Sequence, residues 1–162
     1  MTSSLVFTAP DGVPVIEWSR SFDAPVSDVY RAHADPELVA QWLGPAAYKI
    51  RVDTWNLTSG GAYRFVHIDP EGQEYVFHGV FHTARPDELI IQTFEFAGYP
   101  DVVSIEVLRF EDLGEGGSRL VGHSTYPSQA ARDSMAQSGM EAGMAQGYDR
   151  LDAVVSRLRD TN

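Results

Sequence analysis

The chain has 162 residues, 43% of them hydrophobic, with 12 basic and 23 acidic residues and a formal net charge of −11. That length suits one domain with a sizeable core. The charge removes the basic footprint a nucleic-acid binder needs and disfavours an anionic membrane surface. Cysteine is absent, which excludes disulfides, thiolate metal sites and a cysteine nucleophile and fits a reducing compartment. The opening MTSSLVFTAPDGVPV has neither a basic n-region nor a long apolar run, so no signal peptide is expected. No stretch approaches the roughly 20 apolar residues of a membrane span. A cytoplasmic location is the expectation.

Residues Val13 to Phe22 are rich in β-branched and aromatic types and predict a strand, preceded by the turn signal Pro10-Asp11-Gly12. Pro25 suits a first helical position with Asp23 or Ala24 at the cap, and Val26, Val29, Tyr30 and His33 follow at helical spacing. Asp35-Pro36-Glu37 restarts a helix with a capping Asp before Pro, and Gly44-Pro45 ends it. Two short helices are therefore predicted. Their near-lack of cations argues against a DNA-reading hairpin.

Six further strands are predicted at Tyr48–Trp55, Ala62–Ile68, Tyr75–Ala84, Leu89–Phe96, Val103–Glu111 and Arg119–Tyr126. Their joints are short and turn-like, so successive strands should form an antiparallel meander. From Ser128 to Arg159 the period becomes helical: Met140, Met144, Tyr148, Leu151, Val155 and Leu158 share one face. No proline interrupts this run, which predicts one helix of about 30 residues and about 45 Å. The reading is a single α+β domain over 1–162, with about seven antiparallel strands curved round a long C-terminal helix. Such a sheet leaves a concavity that side chains or a ligand must fill.

The ordered set Arg20-Ser21-Phe22-Asp23-Ala24-Pro25, Asp35-Pro36-Glu37-Leu38, Trp42-Leu43-Gly44-Pro45, Gly60-Gly61-Ala62-Tyr63-Arg64-Phe65, Asp69-Pro70-Glu71-Gly72, His78-Gly79-Val80-Phe81 and Gly147-Tyr148-Asp149-Arg150-Leu151 resembles the SRPBCC, or START-like, superfamily. Within it, the similarity is to the branch named after the activator of the heat-shock-protein-90 ATPase. The resemblance runs from about residue 13 to 158. It implies the helix-grip fold and a deep cavity between sheet and helix, in which many members are assumed to bind lipids, polyketides or other apolar molecules. Some distant members are cyclases.

Five histidines invite a metal or general-base reading. His78 and His82 lie four apart, about 13 Å along a strand, too far to share an ion. His67, His78 and His123 could meet across strands; the plainer reading is solvated or partly buried strand histidines. No Gly-x-Ser-x-Gly nucleophile elbow is present. Glu106 shares strand parity with Leu108 and Phe110, which would turn a carboxylate toward an apolar cavity. There it could orient a polar ligand group or act as an acid. Against this stands a β-bulge that flips the parity, or an ion pair with Arg64, and that side is favoured.

Gly139, Gly143 and Gly147 sit four apart in the predicted helix, each costing about 1 kcal/mol relative to alanine. Two readings are held level: a helix thinned for a ligand and lined by Met140 and Met144, or one that bends or packs tightly on the sheet or a partner chain. Trp42 and Tyr48 either close one end of the cavity or pack the core. The expected cavity set is Trp42, Phe65, His67, His78, Phe94, Glu106, Tyr126, Met140, Gly143, Met144 and Tyr148, with no cofactor and no metal. The expected function is binding of a small hydrophobic molecule, with a homodimer allowed and neither nucleic acid nor membrane as partner. The alternatives are a cyclase, dehydratase or hydrolase using a cavity Glu and His, and a chaperone-interaction module.

A P-loop needs Gly, four residues, then Gly-Lys-Ser/Thr. The only lysine, Lys49, lies between Tyr48 and Ile50. The isolated chain should release no phosphate from ATP above a buffer blank. A turnover abolished by one substitution here would contradict that.

Overall fold

Alternation builds the sheet. In β2 (Val15–Phe22), Ile16, Trp18, Arg20 and Phe22 turn inward and are buried, while the residues between them are more exposed. The computed structural model describes residues 3–161. The strands are β1 (Val6–Thr8), β2, β3 (Lys49–Trp55), β4 (Ala62–Ile68), β5 (Glu74–Arg85), β6 (Leu89–Phe96), β7 (Ser104–Gly114) and β8 (Gly117–Thr125). They form one antiparallel sheet in the order β1-β2-β8-β7-β6-β5-β4-β3. The hairpins predicted from β3 to β8 are all present. The sheet has eight strands rather than seven. The extra one, β1, is only three residues long and pairs Val6–Thr8 with Glu17–Ser19. Its side chains are largely exposed, so no buried alternation marks it.

The helices α1 (Val26–Ala34), α2 (Pro36–Trp42), α3 (Gln129–Ala136) and α4 (Met140–Asp160) cover the concave face. Asp35 caps α2, its side chain accepting from the Glu37 amide at 2.9 Å, with Pro36 in the first turn. Ser128 caps α3 by accepting from the Ala131 amide at 3.1 Å. Pro25 itself holds the cap position of α1, with no side-chain cap bond.

The single long helix predicted from Ser128 is two helices. Gly139 has φ +88°, a left-handed conformation open to glycine. Just before it, Ser138 Oγ donates to the Met135 carbonyl at 2.6 Å and draws off a helical acceptor. The α4 that remains has 21 residues, about 32 Å by the helical rise. Its predicted apolar face is real: Tyr148, Leu151 and Val155 are buried.

Two close approaches set the distance between layers. A Cβ on Gly122 of β8 would overlap the Trp18 indole, which therefore lies flat on that strand. A Cβ on Gly147 would fall 3.1 Å from the Trp42 carbonyl oxygen, and one on Gly143 would fall 3.2 Å from Pro45 Cγ. The α4 glycines thus let the helix settle against the end of α2. They do not thin it toward a ligand, which corrects the functional reading of Gly143.

Each of the three tryptophans has its indole N–H satisfied. Trp18 donates to the Tyr148 hydroxyl (2.9 Å), Trp42 to the Ala32 carbonyl (2.9 Å) and Trp55 to the His33 carbonyl (2.8 Å). Buried Arg20 bonds Asp149 of α4 at 3.2 Å and lies 4.9 Å over the Phe22 ring. Buried Arg132 ties α3 down by donating to the Pro10 and Val15 carbonyls at 2.7 and 3.1 Å. His33 sits between Trp42 and Phe110, its Nδ1 donating to the Val29 carbonyl at 2.8 Å. Burial pushes its pKa down to about 4.

Substitution of Gly122 by alanine should force Trp18 off the strand, and leucine at Gly147 should push α4 from α2. Each overpacked variant should lose roughly 1–3 kcal/mol in chemical denaturation. A second measurement follows from His33. The unfolded state takes up its proton near pH 6.5 and the folded state only near 4, so stability contributed by the neutral imidazole is lost as pH falls through that window. Melting temperature should drop from pH 6.5 to 4, and His33→Leu should flatten the drop.

Candidate functional site

The helices cover the inner face unevenly. On β2 and β8 the inward residues Ile16, Trp18, Phe22 and Leu120 are buried. On β5 and β6 the inward Phe81 and Ile90 are buried, but toward the other end of these strands Phe77, Gln92, Phe94 and Phe96 are only half-buried, as are Met140 and Met144 at the start of α4. One half of the concavity is packed shut and the other stays accessible.

The accessible half is paved with rings. Phe77 stacks on Phe65 (5.1 Å between centroids), Phe94 (5.6 Å) and Phe96 (5.1 Å). Tyr75 continues the surface from Phe96 at 6.4 Å, and Tyr48 stacks on Tyr75 at 5.9 Å with planes 7° apart. His67 lies 4.9 Å from Phe77. Its Nε2 donates to the Leu43 carbonyl at 2.8 Å, so that nitrogen carries the proton. Burial first, then the nearby Arg150 charge, lower the His67 pKa, against the rise its backbone bond gives. A Cβ on Gly44 would overlap this imidazole, which explains a glycine there.

At the β7 edge of this surface stands Glu106. Gln92 Nε2 donates to its Oε1 and Ser124 Oγ donates to its Oε2, each at 3.0 Å. The three residues are cross-strand neighbours, Gln92 opposite Glu106 and Glu106 opposite Ser124. Burial raises the Glu106 pKa, and the two hydrogen bonds oppose the rise. Its charge also helps burial raise the pKa values of Tyr63, Tyr126 and Tyr148. The Tyr126 hydroxyl lies 3.8 Å from Met140 Sδ, which brings the first turn of α4 against the same group.

Both objections to Glu106 fail. The β7 irregularity lies between Asp112 and Gly114, beyond Glu106, so the parity counted from Leu108 and Phe110 holds. Arg64 points to the other side of the sheet and pairs with Asp53. No cation pairs with Glu106 among the described residues.

The predicted set divides cleanly. Phe65, His67, Phe94, Glu106, Tyr126, Met140, Met144 and Tyr148 turn toward the concavity. Trp42 does as well, but it and Tyr148 are buried and stacked at 6.0 Å, so both pack the closed half. His78 does not belong. It opposes Arg64 in the β4–β5 register and faces outward, 3.8 Å from Glu95. The His67–His78–His123 cluster does not form either, since His123 is on β8 opposite Glu17 and Val107, across the sheet from β4. Among the described residues no group of three His, Asp or Glu side chains could hold a metal ion. His67 on β4 and Glu106 on β7 are three strand spacings apart, about 14 Å, too far for a direct acid–base pair. Phe77, Phe96, Gln92 and Ser124 went unselected. Counting by twos from Phe94 and Glu106 along β6, and across the register, reaches all of them.

A hollow of about 790 Å³ lies on the outer face, lined by Arg64, His78, Val80, Thr93, Glu95 and Val103 among others. Its arginine and histidine already face Asp53 and Glu95. No helix in the described residues is long and apolar enough to cross a membrane.

Three solved structures share this fold. A protein of Arthrobacter aurescens matches with a TM-score of 0.86 at 25% identity, over 94% of this chain and 91% of that one. A Rhodobacter sphaeroides protein matches with a TM-score of 0.87 at 24% identity, over 95% and 99%. DynU16, a protein of the dynemicin biosynthetic locus, matches with a TM-score of 0.68 at 22% identity, over 91% of this chain and 48% of its own. No curated protein matches in sequence. The family described as "Activator of Hsp90 ATPase homolog 1-like protein" matches residues 23–156. With its helix-grip sheet and that match over most of its length, the chain belongs to the Activator of Hsp90 ATPase homolog 1-like protein family.

Proposed function

We propose that the accessible half of the concave face binds a small, flat, apolar molecule of aromatic, polyketide or lipid type. The observation that carries this reading is the run of stacked, half-buried rings Phe77, Phe94 and Phe96, backed by the buried Phe65. Rings left partly open to water lose free energy that a flat apolar partner would restore, about 25 cal/mol per Å² covered. Met140 and Met144 supply a deformable opposite wall. The family's fold, which places a helix over a concave sheet, supports the same reading. Binding rather than turnover is the simpler assignment, because the Glu and His that an acid–base mechanism would use are held on strands three apart.

The test is a titration with neutral naphthalene derivatives. Binding should be saturable. Phe94→Ala, which removes one half-buried ring, should weaken it by about fivefold to tenfold, the equivalent of one ring contact at about 1 kcal/mol or slightly more. Val80→Ser on the outer face should leave it unchanged. Equal binding by the wild type and Phe94→Ala would remove the concave face as the site.

A further inference from the structure

The polar end of the groove points to the ligand's chemistry. Among the described strand residues, Glu106 is the carboxylate that the inner-face register places next to Gln92 and Phe94. Both of its oxygens are met only by neutral donors, Gln92 and Ser124. A side chain of this kind set against apolar walls ordinarily takes an arginine or lysine partner. Here the arginines are committed elsewhere. Arg64 is on the outer face with Asp53, Arg20 is held by Asp149, Arg132 by two backbone carbonyls and Arg150 by the Gly44 and Pro45 carbonyls. Each Glu106 oxygen retains an acceptor site after its single bond.

No cation bonds Glu106 among the described residues; Arg132 and Arg150 act on Tyr126 and His67 only at a distance, from their own backbone partners. Tyr63, Tyr126 and Tyr148 all sense the Glu106 charge, and a phenol offers a hydroxyl together with a ring face that attracts cations. The Tyr148 hydroxyl accepts from Trp18 at 2.9 Å. Burial and the Arg150 charge lower the His67 pKa and disfavour its cation. A chain with net charge −11 also draws cationic small molecules and repels anionic ones.

We propose that the groove takes an amine carried on a flat apolar body, with the ammonium on Glu106 and the body on Phe77 and Phe94. This rests on the concave face being the binding site. It names Glu106 as the group that decides specificity between ligands of one shape.

Three probes of matched size separate the possibilities at neutral pH: 1-naphthylmethylamine, 1-naphthylmethanol and 1-naphthylacetate. Calorimetric titration should rank them amine, alcohol, acid. The amine should exceed the alcohol by about tenfold or more, as expected for one hydrogen bond to a charged group. Glu106→Gln keeps the side chain's shape and should abolish that ratio while changing alcohol binding less than about threefold. Equal affinity for amine and alcohol in the wild type would overturn the inference, whether or not the variant folds. An amine preference that survives in folded Glu106→Gln would overturn it too. If the alcohol binds and Phe94→Ala weakens it, the groove stands even when the amine preference fails. If none of the three binds, the groove itself fails and the inference with it.

Discussion

Trp18 lying flat on Gly122 is the contact from which the layers take their spacing. The indole can touch the strand only because β8 carries no side chain there. From that position its N–H reaches the Tyr148 hydroxyl on α4. Tyr148 in turn stacks on Trp42 at the end of α2 and meets Phe22 edge-on. One donor–acceptor pair therefore fixes the last helix relative to the sheet and to the helical hairpin at once. Gly147, the neighbour of Tyr148, removes the bulk that would hold α4 away from Trp42. Arg20 and Asp149 repeat the tie one step along both elements.

That tie also explains why the groove is lopsided. Anchoring α4 over β2 and β8 through Tyr148, Leu151 and Val155 closes that half of the concavity. The first turn of α4 begins at Met140 after the break at Gly139, and past it β5 and β6 are only partly covered. The rings on those strands stack on one another, and the polar residues gather where β6, β7 and β8 run side by side. The closed half supplies rigidity and the open half supplies accessible apolar surface.

Much of this was legible in the residues. Strand alternation and turn residues located β2 to β8, and the capping signals at Asp35 and Ser128 were real. The parity of Leu108 and Phe110 placed Glu106 on the inner face, although a bulge or Arg64 was expected to cancel it. Other features were not legible for physical reasons. A three-residue edge strand with exposed side chains carries no periodic signal. A glycine within helical spacing looks the same whether it is helical or left-handed, and only the dihedral at Gly139 decides. His78 shares a strand with Phe77 and was assigned to the cavity without counting the parity of that strand. The spacing of Gly143 and Gly147 marked a close approach, but not whether a ligand or Pro45 and Trp42 made it.

The Ser138–Gly139 corner has a practical use. Nothing lies within 4 Å of where a Gly139 side chain would begin. The helices on either side are held independently, α3 by Arg132 on the Pro10 and Val15 carbonyls and α4 by Tyr148. Extra length at an exposed corner between two anchored segments costs little, since loop-closure entropy grows only slowly with length. With no native cysteine to compete, a single cysteine placed at Ser138 would accept one thiol-reactive dye within reach of Met140. The chain thus offers a labelling position beside the groove mouth from which events at the groove can be reported as emission.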